Sequence, residues 1–365
     1  MTDLWNNSRF STLRSCEQKF VYRYVEGLNT PTNPTDEKLL LGSWFHALMY
    51  AHGLRQGMVQ ESLLHPVPDT MNLGFDFIDP MPVPTEYDGT LVTQVQDYLT
   101  SQFLAKVGGM SPDLDAIPER AWFLFDRYVA RWFTQGSLLT DKVLAVEYEW
   151  QRTDEASGIT YVGKIDKIIL REDGLLILRD YKTTGQKPTT DFRLTNSQLH
   201  LYAWGVAPFL DMHGLSVDAV EYDYAITREP RVRLTKAGAL YKNQSVMDYR
   251  ALEYLLSEEL RASDHDHAYD DERFADHYEA AREEGDEKFF SRNLLPINET
   301  VIIRLLDEQV QLVDRATRLD NGSALPIAAP GRACGWCEYS DLCVAEMYGN
   351  DATPIREFYQ IVSDT

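Results

Sequence analysis

Near the middle of the chain three successive segments share the two-residue period of β-strands, and they constrain the fold more than any other feature. In VLAVEYEWQR, starting at Val143, the residues Leu144, Val146, Tyr148 and Trp150 alternate with Val143, Ala145, Glu147 and Glu149, which predicts a strand with two glutamates on one face. Thr160–Leu170 (TYVGKIDKIIL) and Leu175–Lys182 (LLILRDYK) read as two more strands, joined by a turn at Glu172, Asp173 and Gly174. Connections this short predict an antiparallel meander. A helical stretch containing SQLHLYAWG and a strand from Ala219 to Arg228 follow, so the expected fold class is α/β, a mixed sheet flanked by helices.

Elsewhere the period is helical. Leu13, Cys16, Phe20 and Tyr24 are spaced by three or four, which predicts an amphipathic helix with Cys16 on its buried side. Gly42–Gly57 and Glu119–Phe133 read as further helices, and between them Pro66, Pro68, Pro80, Pro82 and Pro84 mark an extended insertion. A last helix is expected from Asn298 to about Leu319.

Acidic residues outnumber basic ones by 57 to 35, a formal net charge of −22, so the molecule as a whole repels polyphosphate. Binding nucleic acid would require a local basic patch or bound metal ions. Arg228, Arg231, Arg233, Lys236, Lys242 and Arg250 supply one candidate patch, broken only by Glu229 and Asp248. The run from Asp264 to Lys288 is strongly acidic and reads as a solvated face or insertion. No stretch approaches the roughly 18 apolar residues of a membrane span, and the first residues lack the apolar core of a secretion signal. A cytoplasmic protein without membrane contact is expected.

Asp180 and Lys182 project from one strand face, where a carboxylate could hold a divalent cation beside an ammonium group that contacts water or phosphate. Glu17-Lys19, Asp36-Lys38 and Asp286-Lys288 have the same spacing, and a plain salt bridge on a sheet is the alternative for any one of them. Only Asp180-Lys182 ends an aliphatic strand and follows a strand bearing Asp166. His46 lies mid-helix among Trp44, Phe45, Leu48 and Met49, where a buried imidazole needs a partner, either as a core hydrogen bond or as a ligand. Gln198 and Tyr202 are four apart, on one helix face.

His46, Glu147 or Glu149, Gly163 with Asp166, Asp180 with Lys182, and Gln198 with Tyr202 stand in the order of the RecB-like branch of the PD-(D/E)xK nuclease superfamily, which the chain resembles. Ile165 occupies the place of the superfamily's proline. The resemblance implies a metal-dependent deoxyribonuclease. His46, Asp166, Asp180 and the backbone carbonyl of Tyr181 would hold one or two Mg²⁺ or Mn²⁺ ions, Lys182 would position or deprotonate the attacking water, and Gln198 and Tyr202 would orient phosphate or lysine. It also implies a DNA substrate, single strands degraded from an end, in repair, recombination or phage DNA processing, with a helicase or recombination protein as partner.

Three of the four cysteines, Cys334, Cys337 and Cys343, fall within ten residues, which in a reducing compartment reads as a metal site. With the remote Cys16 they resemble the iron–sulfur staple of AddAB-type nuclease subunits and of the CRISPR-associated exonuclease family, which implies one 4Fe–4S cluster. Four thiolates suit zinc equally well. The expected organisation is one nuclease domain, with a helical part at 1–140, the core at 141–262, an acidic segment and helix at 263–320 and the cysteine lobe at 321–365. A catalytically degenerate, cluster-stapled DNA-binding scaffold within a helicase or recombination complex is the rival reading. The sequence holds no G-x-x-x-x-G-K-[ST] phosphate loop, which disfavours an ATP-driven motor.

Overall fold

A computed structural model describes residues 4–29, 36–84, 90–134, 140–188, 198–241, 244–262 and 274–361. Its centre is a six-stranded mixed sheet of β1 (Leu4–Trp5), β2 (Lys142–Thr153), β3 (Thr160–Leu170), β4 (Leu176–Thr184), β5 (Ala219–Ile226) and β6 (Phe290–Pro296). The expected meander is present: β2 and β4 both run antiparallel to β3. β5 then lies parallel to β4, and β6 closes the sheet antiparallel to β5.

The pairing around β3 is what opens the sheet. β2 covers one edge of β3 along its whole length. The other edge is shared, with β4 paired only at Lys167–Leu170 and β1 only at Thr160 and Tyr161. Among the described residues, 162–166 therefore have no strand partner on that edge, and Lys164 and Asp166 stand in the gap.

Each sheet face carries its own core. On one side α2 (Glu37–Val59), α3 (Leu91–Val107) and α4 (Ile117–Thr134) bury Trp44, Phe45, Leu48, Leu99, Phe103 and Tyr128. On the other, α1 (Asn7–Ser15), α5 (Gln198–Asp211) and α7 (Glu299–Asp320) bury Phe10, Leu199, Val206 and Ala316 against Ile165, Leu178 and Tyr222. A small third cluster of Tyr22, Leu28, Tyr339, Leu342 and Tyr359 joins the N-terminal segment to the lobe of α8 (Ser340–Met347). Between β5 and α7 also lies α6 (Tyr249–Ala262).

Several elements depart from the sequence pattern. Cys16 is extended, with φ −164° and ψ 113°, and it splits the expected N-terminal helix by capping one helical piece and starting the next. It is half-buried rather than on a continuous buried stripe. On β2 the four alternating apolar residues do not share a face. Tyr148 stacks on Phe209 and Trp150 meets Tyr202, both on α5, whereas Val146 packs toward Gly53 of α2. The reversal falls at Glu147, whose φ of 47° lies in the left-handed region. The acidic run is not wholly solvated: Asp286 is buried, accepts the Tyr249 N–H at 3.0 Å and pairs with Arg131 at 3.2 Å. Residues 264–273 of that run lie outside the described residues, as does Lys242.

One residue before Asp180, the fully buried Arg179 pairs with Glu221 at 2.5 Å and reaches Asp223 at 3.7 Å. Asp223 also takes Arg292 at 2.8 Å and the Tyr128 hydroxyl at 2.5 Å. Arg179→Met would leave two buried carboxylates to share Arg292, and removing one partner of such a network typically costs about 3–5 kcal/mol. Denaturant unfolding should show a loss of that order; a loss below about 1 kcal/mol, the scale of a surface pair, would mean the network is solvated.

Candidate active site

Asp166 occupies the gap in the edge of β3. Pairing with β4 stops at Lys167–Arg179, and the Tyr181 N–H donates instead to the Asp166 carboxylate at 2.7 Å. A side chain thus substitutes for the strand that has peeled away. From α2, His46 brings Nδ1 to 3.6 Å from the same carboxylate oxygen. Gly42, one turn earlier, allows this approach, because a Cβ there would lie 2.9 Å from Thr183 Oγ1 on β4.

Glu147 lies opposite Asp166, between the Val146–Lys167 and Tyr148–Ile165 pairs. Its left-handed backbone keeps it on the His46 side, and ligand atoms of His46, Glu147 and Asp166 all come within 4.8 Å of one another. Backbone strain of this kind is stored where surrounding structure over-determines it, commonly at functional sites. The pattern left Glu147 and Glu149 as alternatives, and the structure brings Glu147 to the imidazole. Periodicity could not choose between them.

On the other face of β4, Asp180 is buried and Lys182 places Nζ 2.5 Å from its carboxylate. Gln198 donates to the Tyr202 hydroxyl at 2.9 Å, and Tyr202 feels the charges of Asp180, Lys182 and Asp166. Asp180 is outside the three-residue cluster, although its charge reaches His46.

Electrostatics fit a cation site. Burial holds the His46 imidazole down to about 4, against the opposing pull of Asp180, so near neutral pH it is an uncharged donor suited to a metal. Burial pushes the Glu147 carboxyl up, and Asp166 adds to this. Asp180 is raised by burial and by Asp166, with Lys182 opposing. Three crowded carboxylates of this sort are relieved by a divalent cation, and an imidazole with carboxylate oxygens is a donor set that one accepts. Lys182 is partly buried, but the adjoining Asp180 and Asp166 outweigh that burial and keep its ammonium charged.

A family comparison matches residues 5–344 to the PD-(D/E)XK nuclease superfamily. The chain belongs to that superfamily. Membership makes this nuclease a metal-dependent one with DNA as its substrate class. No curated protein matches the chain. Among the described residues no helix is long and apolar enough to cross a membrane.

The remaining candidates fall in two places. Beyond β5 the chain stays beside β4, through Thr227 N–H to Thr184 O at 2.9 Å, and Arg228, Arg231 and Arg233 then line a cavity of about 350 Å³ with Tyr241, Gln244 and Phe289. Lys236 is exposed on the following turn. Arg250 does not belong to this patch, since Asp126 at 2.7 Å and Glu253 at 2.6 Å neutralise it on α6. All four cysteines are free thiols, and burial together with facing Cys16, Cys334 and Cys337 pushes the Cys343 thiol up.

His46→Ala separates a ligand from a core residue. As a ligand its loss should weaken divalent-metal affinity by roughly 10–100-fold, the scale seen when metal-site partners are removed, with activity recovering at high Mn²⁺. An unchanged calorimetric metal titration with a lowered Tm would place His46 in the core alone.

Proposed function

We propose that this nuclease degrades single-stranded DNA from an end, at the gap between β1 and β4 where His46, Glu147 and Asp166 meet the Asp180–Lys182 pair. The observation that carries the reading is this convergence of a metal-ligand set and a charged lysine on one interrupted strand edge. Two cavities adjoin the gap, of about 470 Å³ beside His46 and about 710 Å³ beside Lys182 and Gln198. Clefts of this size take a small ligand. They suit one or two nucleotides of an extended strand better than a duplex.

A divalent cation bound by His46, Glu147 and Asp166, with Asp180 and the Tyr181 carbonyl as further donors, would supply Lewis acidity at the scissile phosphate and a more acidic water. Asp166 has a second task, since its bond to the Tyr181 N–H holds β4 in place after the ladder has ended. Lys182, charged and anchored on Asp180, holds the attacking water by donating to it. Gln198 and Tyr202 lie where they can contact a phosphate oxygen. Arg228, Arg231, Arg233 and Lys236 leave the sheet at the same end and would track the strand despite the acidic surface.

Lys182→Ala should lower cleavage of end-labelled single strands by roughly 10²–10⁴-fold while retaining binding. Cleavage at the wild-type rate would remove Lys182 from the chemistry. Binding by the wild-type protein with no cleavage in Mg²⁺ or Mn²⁺ would favour the scaffold reading within a helicase or recombination complex.

A single structural cluster of the 4Fe–4S type on Cys16, Cys334, Cys337 and Cys343 would tie the N-terminal segment to the C-terminal lobe, a reading favoured by the close spacing of the last three and by the charge that Cys343 feels from the other three. Anaerobically purified protein should contain about four irons per chain if one such cluster is bound. Stoichiometric zinc would replace the iron assignment and keep the tie, and metal-free protein of unchanged Tm would remove both.

A further inference from the structure

Lys164 stands in the unpaired interval of β3, and its Nζ lies 2.5 Å from Glu147 Oε2. Glu147 belongs to the metal-ligand set, so a lysine already occupies part of the coordination space that a cation needs. The Lys164 backbone is fixed by the pair with Glu149 on β2, whereas its side chain is 43% exposed and free to change direction.

The arrangement changes when a metal enters. Lys164 and Lys182 each bond a carboxylate at the edge of the ligand set, at 2.5 Å. A dication on those carboxylates repels both ammonium groups. One ammonium must therefore move or gain an anion. Lys182 is held by Asp180, a further donor in the reading above, but Lys164 bonds a carboxylate of the three-residue set itself and is the more exposed of the two side chains.

Where Lys164 would go is set by the cavities. It lines the one containing His46, Glu147 and Asp166 and also the one containing Lys182, Gln198 and Tyr202. A displaced ammonium there meets any strand running from one cavity to the other.

We propose that Lys164 is a positioning residue, a resident counter-ion of Glu147 that gives way to the divalent cation and then holds a substrate phosphate at the junction of the two cavities. This rests on the metal-site reading above. The half-exposed Lys164 side chain makes Lys164→Gln a mild change to the fold, and Lys164→Arg keeps the charge. Mn²⁺ binding by calorimetry on the full chain should tighten roughly fivefold in Lys164→Gln, the upper range for a partly exposed ion pair, and stay near wild type in Lys164→Arg. In the presence of Mn²⁺, binding of a phosphorothioate single strand should lose about 0.7 of a unit of salt slope in Lys164→Gln, as expected for one lost phosphate contact on a single strand. Unchanged or weaker Mn²⁺ binding in Lys164→Gln overturns the counter-ion role, and an unchanged salt slope overturns the phosphate role. If wild-type protein binds no Mn²⁺, or Asp166→Asn binds it equally well, the metal-site reading fails and the proposal with it.

Discussion

Everything at the centre of this nuclease depends on where two strands stop pairing. Beyond Lys167 and Arg179 the ladder between β3 and β4 ends, and the Asp166 carboxylate takes the next N–H, that of Tyr181. A buried unpaired N–H is expensive, so the strands can separate only because a side chain satisfies it. The carboxylate that makes the separation possible is also the one that faces His46. Structure and chemistry are thus combined in a single group.

The sheet around the gap is held by charge as much as by apolar packing. Arg179 and Asp180 are adjacent on β4 and point to opposite faces, one into the Glu221, Asp223 and Arg292 network and the other toward Lys182. A β-strand imposes that alternation. Anchoring Arg179 therefore fixes the direction of Asp180. Trp150 adds a rigid wall on the α5 side, lying so close to Gly163 and Gly205 that a Cβ on either would come within 2.6 Å of its ring. Gly163 precedes Lys164, so the indole determines how the lysine's strand sits.

Much of this was legible in the sequence, for local reasons. The meander followed from alternation and a turn at Gly174, which the structure shows with φ 86°. Asp166, Asp180 and Lys182 were singled out by lying on neighbouring strands. What could not be read were features created by tertiary contact. The left-handed Glu147 reverses the face of β2 without any mark in residue type, and β6 was missed because FSRNLLP puts Arg292 where an apolar residue would signal a strand. α3 was also overlooked, since Leu91, Val95, Leu99 and Phe103 follow an insertion rich in proline. Lys164 lies within TYVGKIDKIIL with nothing in the pattern to distinguish it, and only its contact with Glu147 marks it out.

The two ends of the chain are knitted together by more than cysteine. Glu17 takes a two-pronged contact from Arg315, Lys19 reaches Glu338 at 2.8 Å, and Arg356 reaches Glu26 at 2.6 Å. Leu28 and Asn29 pair as a short ladder with Gln360 and Ile361. Glu17 and Arg315 are 298 residues apart, so at typical synthesis rates the N-terminal segment waits about 15–60 s for its partner to be made. During that interval Phe10 and Phe20, fully buried in the finished protein, have no completed lobe to cover them. Such high-separation contacts form late and leave apolar surface exposed meanwhile. The nascent N-terminal segment thus carries exposed apolar surface until the C-terminal part of the chain is made.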